Sequence, residues 1–174
     1  MKKIIGILFL MITMVILGKS EDFENLEEKN GVMITKATQQ PFTGIAVDYY
    51  PRSLISNTRG IKIKIDYKNG IKDGIIREFY ENGKPSIETV IKAGKKQGMT
   101  KEYYSTGKIK AKRPYKNDVL DGAVEEYHEN GAMSMTGEYK SGKQTGEFRE
   151  FRDNKQLKAR TTYQNGVVVE RKEF

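Results

Sequence analysis

The sequence contains no cysteine, no tryptophan, a single histidine, and no long apolar run beyond Ile4–Leu17. Without cysteine there is no disulfide framework, no thiol chemistry and no lipid attachment through a lipobox cysteine. Only 37% of the 174 residues are hydrophobic, which argues against one large, dry core and leaves local pairing as the source of stability. The apolar run of 14 residues falls short of the roughly 20 that a spanning helix needs.

That run has a recognisable setting. Lys2 and Lys3 precede it, and Gly18-Lys19-Ser20 and the acidic stretch Glu21-Asp22-Phe23-Glu24 follow it. Charged, then apolar, then small is the order of a secretory signal peptide, here residues 1–20. It predicts a secreted, periplasmic or cell-surface protein, with retention of the segment as an uncleaved membrane anchor as the alternative. The chain carries 31 Lys+Arg against 23 Asp+Glu; residues 1–20 hold Lys2, Lys3 and Lys19 and no acid, so beyond them the balance is 28 against 23. A mixed-sign surface on an exported chain speaks against nucleic acid as a partner.

A period of 24 residues organises the rest. Tyr67, Ile91, Tyr115, Tyr139 and Tyr163 keep that step, as do Gly74, Gly98, Gly122 and Gly146. So do Gly83, Gly107 and Gly131, with Lys155 in the fourth place. The column Glu78, Glu102, Glu126 and Glu150 is followed directly by Phe79, Tyr103, Tyr127 and Phe151. A degenerate earlier copy runs from Phe42 to Tyr50, and its extra residues fall in a longer loop at Pro51–Arg59.

Each unit splits into two strand-length segments joined at Asn82-Gly83, Thr106-Gly107 or Asn130-Gly131, and so predicts a β-hairpin. A second turn, Lys92-Ala93-Gly94-Lys95 and its copies, joins one hairpin to the next. The predicted fold is all-β: an elongated, single-layer antiparallel meander of stacked hairpins. Its units lie at about 41–66, 67–90, 91–114, 115–138 and 139–162, with a linker or cap at 21–40 and a C-terminal cap at 163–174. Residues 31–50 are also candidates for closing the first end, and residues 24–30 for a turn or two of helix.

Charge suggests a register. A type I turn with a left-handed glycine bulge sets Glu102 against Lys110, Glu150 against Lys158, and Glu78 and Glu126 against Ser86 and Ser134. A two-residue primed turn would leave the glutamates against Ile87, Ala111 and Met135. The first register is favoured by cross-strand pairs worth roughly 0.2–1 kcal/mol each. It places Phe79, Tyr103, Tyr127 and Phe151 with Ile109, Met133 and Leu157 on what should be the better buried face. Lys155, standing where glycine is wanted, should make the hairpin of residues 146–163 less regular.

The phrase Gly74-Ile75-Ile76-Arg77-Glu78-Phe79-Tyr80-Glu81-Asn82-Gly83-Lys84, repeated at Gly122–Gly131, resembles the bacterial MORN-variant repeat, the type found in YwqK-like antitoxin proteins. The resemblance covers about residues 42–170. It implies a stacked-hairpin sheet that binds proteins or acidic lipid surfaces, and where such repeats accompany enzymes the catalytic domain is a separate one. Tryptophan, frequent at the family's aromatic positions, is replaced here by Tyr and Phe.

No catalytic, cofactor or metal site emerges. His128 falls in the column Tyr80, Tyr104, His128, Arg152, where a flat or long side chain packs across the sheet. The glutamates lie two strands apart, roughly 10 Å from strand spacing alone, too far for a retaining glycosidase pair. The glycines are turn residues rather than a phosphate loop, since no helix follows them. Lys92, Lys95, Lys96, Lys108, Lys110, Lys112 and Arg113, with Tyr103, Tyr104 and Tyr115, form the candidate binding surface. The same lysines also serve solubility and protect sheet edges. The preferred reading is an exported, non-enzymatic scaffold for a protein partner, an anionic membrane surface or a polyanionic glycan. An antitoxin that neutralises a partner toxin is the runner-up, and a hydrolase using the glutamates comes last.

Overall fold

The structure, a computed structural model, describes residues 19–52 and 59–174. The apolar run of the expected leader and the middle of the 51–59 loop lie outside the described residues. Fifteen strands are present among the described residues, with one short 3-10 turn at Phe23–Asn25. The first end holds β1 (Ser20–Asp22), β2 (Leu26–Lys29), β3 (Val32–Thr35) and β4 (Gly44–Tyr49). Then come β5 (Ile61–Lys68), β6 (Ile71–Phe79), β7 (Pro85–Lys92), β8 (Lys95–Tyr103) and β9 (Ile109–Lys116). The chain finishes with β10 (Val119–Leu120), β11 (Gly122–Tyr127), β12 (Met133–Lys140), β13 (Lys143–Phe151), β14 (Leu157–Gln164) and β15 (Val167–Glu173). All but β2 and β3 belong to one sheet in which β4 to β15 follow chain order, with the two-residue β10 attached to β9. The predicted meander is the observed fold.

The two sides of the ribbon carry two kinds of turn. On one side Asn69-Gly70, Ala93-Gly94, Asn117-Asp118, Ser141-Gly142 and Asn165-Gly166 all have positive φ at both positions, the signature of the two-residue type I′ turn. On the other, Tyr80 N–H bonds to Lys84 O and Gly83 N–H to Tyr80 O, with Gly83 at φ 79°: the expected three-residue turn with a left-handed bulge. Lys155 takes the same left-handed place at φ 68°. Its hairpin is nevertheless as regular as the others, with Arg152 N–H to Gln156 O at 2.8 Å and an uninterrupted β13–β14 ladder up to the shared bulge. Six paired residues on each strand hold one strained position in place.

The charge-based register is not the one adopted. Phe79 pairs with Pro85 as the turn requires, but one residue later Ser86 bulges out and Glu78 pairs with Ile87. Likewise Glu102 pairs with Ala111, Glu126 with Met135 and Glu150 with Ala159. The reason is apolar burial. A one-residue slip would turn Ile87, Thr89 and Ile91 away from Ile65 and Ile76. Burying one large aliphatic chain is worth about 1.5–3 kcal/mol, more than the ~0.2–1 kcal/mol of a charge pair.

That second bulge also decides which face is buried. Directly paired residues share a face, so face one carries the glutamate column beside Ile65, Ile91, Thr89, Thr100, Ala111, Val124, Phe148, Ala159 and Thr161, all buried. Face two carries Phe79, Tyr103, Tyr127 and Phe151 with Ile109, Met133 and Leu157, as expected, but these are only half-buried. The better buried face is thus the other one. Its central residues are small, and longer neighbours on the same face, Arg113 and the Tyr column among them, close over them.

The glycines at 74, 98 and 122 are not turn residues either. Gly74 lies inside β6 at φ 130°, where two extra residues bulge opposite Asp66, and a Cβ there would come within 2.5 Å of the Asp66 carboxylate. That carboxylate accepts the Ile75 N–H at 2.8 Å.

At the first end, residues 26–35 form a strand pair rather than a helix: β2 and β3 are joined by a type I′ turn at Asn30-Gly31. Leu26 alternates inward and packs with Met33 and Phe42 on Ala46, Ile65 and Tyr67, the buried core cluster of this end. Met33 N–H bonds to Gly70 O, and Gly70 N–H to Phe42 O at 2.7 Å, so the cap is stitched to the first turn of the array.

Candidate binding face

Every repeat is tied to the next at both edges, which makes the sheet a rigid platform. On the type I′ side, Gly94, Asp118, Gly142 and Gly166 donate their N–H groups to Lys72, Lys96, Leu120 and Gln144 carbonyls, 22 residues earlier in each case, at 2.8–3.0 Å. On the other side the residue after each aromatic reaches across. Tyr50 Oη donates to Phe79 O, Tyr80 Oη to Tyr103 O and Tyr104 Oη to Tyr127 O, at 2.5–2.6 Å. His128 Nε2 lies 2.9 Å from Phe151 O, and Arg152 Nη2 donates to Phe174 O at 2.6 Å. His128 is thus one rung of a ladder, and with Nε2 protonated it donates as its neighbours do. Asn82 and Asn130 add parallel rungs to Ser105 O and Asp153 O.

The glutamates of face one are structural as well. Arg113 bridges Glu102 and Glu126 across three strands. Arg171 and Lys158 hold Glu150 at 3.1 and 3.3 Å. Partial burial pushes the Glu150 carboxyl up, and these two cations more than offset it, leaving it below its ordinary value. Among the described residues no group of three or more His, Asp or Glu is placed to hold a metal ion, and no helix is long and apolar enough to cross a membrane.

The ten residues of the sequence-derived surface do not share one side. Lys92 and Lys95 flank a type I′ turn, while Lys96 lies 4.8 Å over the Tyr115 ring on face one, near Arg113. Tyr104 and Lys108 belong to the opposite edge, where Lys108 Nζ bonds to Glu129 O. Lys110 occupies the second bulge and lies 5.9 Å over the Tyr104 ring. Tyr103 and Lys112 lie within face two, and Lys92 and Lys95 reach that face only at its turn edge.

Face two, however, carries a row that crosses every repeat. Successive cross-strand pairs run Lys64, Arg77, Glu88, Lys101, Lys112, Glu125, Thr136, Arg149, Arg160 and Lys172, one residue per strand. Neighbours in it are about 4.8 Å apart. Cations outnumber acids in the row, and the half-buried aromatic band lies alongside. Lys64 lies 5.9 Å over Phe79 and Lys112 5.4 Å over Tyr127, so part of the row is stacked on the band. Glu88 and Glu125 are occupied internally: Glu88 pairs with Arg77 at 3.4 Å and accepts the Tyr103 hydroxyl at 2.7 Å. Desolvation, together with the Glu88 carboxylate beside it, pushes the Tyr103 hydroxyl up to about 12. Glu125 accepts from Tyr127 Oη and Lys112 Nζ, which hold it below the usual carboxylate range and Lys112 above its own. Lys101 has no such partner among the described residues and is exposed.

Charges that cluster along the chain conceal this row in the sequence. Its members cluster across strands, and the available signal was the period itself: Arg77, Lys101, Glu125 and Arg149 are 24 apart, as are Lys64, Glu88, Lys112, Thr136 and Arg160.

A long open sheet of in-register hairpins, each bonded to its neighbours through turns and side-chain rungs, defines a stacked-hairpin repeat protein. The family model described as MORN repeat variant matches four consecutive copies, residues 72–92, 96–117, 120–141 and 144–165, together half of the chain. The protein belongs to the MORN repeat variant family. Each match frames one hairpin closed by a three-residue turn, β6–β7, β8–β9, β11–β12 and β13–β14. No curated protein matches the chain significantly. The family is that of a repeat scaffold and is generally non-catalytic.

Proposed function

We propose that this chain is an exported, non-enzymatic scaffold that holds the acidic surface of a partner protein against face two. The observation that carries this reading is the cationic row beside the half-buried aromatic band. Half-buried aromatics supply contact area at small conformational cost. An ordered row of cations steers and orients an acidic surface. The charged, apolar and small-residue order of residues 1–20 supports export.

The test is capture from a cell-envelope extract by the immobilised protein, compared with the Lys101→Glu/Arg149→Glu variant. Both positions are exposed, so the fold is expected to persist. The expected result is a retained protein that the variant releases and that elutes as salt rises. Equal capture by both forms overturns the reading. Panels of anionic liposomes and polysaccharides run at low salt assign the site to a lipid surface or a glycan instead if either binds and protein does not.

A further inference from the structure

The last strand of the sheet presents a surface unlike any other in the described structure. All seven residues of β15 are exposed, and Val167, Val168 and Val169 show 67, 51 and 56% of their surface. Among the described residues β15 pairs with β14 alone, so within them its outer backbone groups are unpaired. Which groups those are follows from the ladder. Phe174 N–H donates to Lys158 O at 2.9 Å, so by antiparallel alternation residues 170 and 172 bond inward, and the N–H and C=O of Arg171 and Glu173 point outward.

We propose that β15 pairs antiparallel with β15 of a second copy of this chain, about a two-fold axis through Arg171. The outward groups permit this register, because centring on Arg171 brings the free N–H and C=O of each copy against each other, and the side chains select it. The side chains agree with it. Glu170 of each copy falls opposite Lys172 of the other, giving two opposite-charge pairs on face two. The two Arg171 guanidiniums meet at the axis already neutralised, each held by Glu150 at 3.1 Å and Glu173 at 3.2 Å. Moving the axis by one residue in either direction sets Glu170 against Glu170 or Lys172 against Lys172. The contact is isologous and closes on itself, so it yields a dimer with one continuous sheet rather than a fibre. Among the described residues the opposite end of the sheet offers no rival edge of this kind, since β1 is three residues long and pairs in parallel with β4.

The absence of native cysteine makes the register directly testable. In the full chain, Arg171→Cys brings two thiols together across the axis at the Cα separation that a disulfide needs, about 5.5 Å. Glu173→Cys leaves its thiols four residues apart along the seam. Under equilibrating redox conditions Arg171→Cys is expected to accumulate covalent dimer on a non-reducing gel and Glu173→Cys to stay monomeric. Equal cross-linking of both, or of neither, overturns the proposal. Sedimentation of cysteine-free variants supplies the second reading: Lys172→Glu is expected to lose the dimer and Glu170→Lys/Lys172→Glu to regain it. Failure of the double variant to recover the dimer overturns the register. Circular dichroism of each variant separates loss of the dimer from loss of the fold.

Discussion

At the first end of the molecule Leu26, Met33 and Phe42 close over Ala46, Ile65 and Tyr67, and the hairpin β2–β3 is bonded into the turn at Asn69-Gly70. At the last end β15 is a single strand exposed along its whole length. The two ends of one repetitive sheet are therefore stabilised differently: the first by a small conventional core, the last only by ladder bonds and ion pairs such as Arg171–Glu150. Between them, among the described residues, no second layer covers the sheet. Each hairpin is held by its neighbours alone, so stability is a sum over adjacent units.

The sharpest way to break this comparison is truncation in the first core. Phe42 is 3% exposed, and Phe42→Ala is expected to destabilise by about 3–5 kcal/mol. Val168→Ala at the open end should stay within ~0.5 kcal/mol. Urea midpoints of the two variants measure the difference, and equal shifts would show that the cap is not a core. Gly74→Ala forces a Cβ into the Asp66 carboxylate at an unfavourable φ, and about 1–3 kcal/mol of destabilisation is expected from denaturant unfolding. His128→Ala removes one rung, its bond to Phe151 O, and is expected to cost about 1 kcal/mol. Hydrogen exchange should report the loss chiefly in the hairpins flanking that rung.

Towards the last end, Lys155→Gly relieves the left-handed strain and is expected to raise stability by about 1 kcal/mol. A thermal melt with no gain would mean that the Lys155 side chain contributes more than its backbone costs. The smallest effect concerns pH in the middle of the sheet. Glu125 has its folded value lowered by Tyr127 and Lys112. Its contribution is therefore complete above the unfolded carboxylate value of about 4.3 and is lost as pH falls through the lower folded value. With both side chains about a third exposed, the pair is worth about 0.2–1 kcal/mol. Acid titration of stability should show a smaller loss below pH ~4 in Glu125→Gln than in the parent.

Much of the architecture was legible because turns are chemically explicit. Asn82-Gly83, with Gly83 at a left-handed φ, is found where its dipeptide predicts it, and the 24-residue step returns the same hairpin four times. The cap was harder to read, because Leu26-Glu27-Glu28-Lys29 suits one helical turn as well as a short strand. Only Leu26 meeting Phe42 and Met33 decides between them. The candidate surface scattered for a similar reason. Lys108, Lys110, Lys112 and Arg113 are neighbours in the chain, yet successive strand residues point to opposite faces, and a bulge at Lys110 adds a further turn. The row on face two joins residues 11 to 13 apart, a relation that pairing creates and proximity in the chain conceals.

What the amino-acid sequence determined by itself is the unit: a 24-residue hairpin, its two turns, and the order in which copies follow one another. These are local properties of backbone conformation at glycine, asparagine and β-branched residues, and they need no distant partner. What only the tertiary structure decided is which face each side chain takes. A single residue bulging at Ser86, Lys110, Ser134 or Lys158 reverses the alternation of everything beyond it. The choice is made by burial summed over several strands, in which Ile65, Ile76, Thr89 and Thr100 outweigh the charge pairs that the chain could have formed nearby.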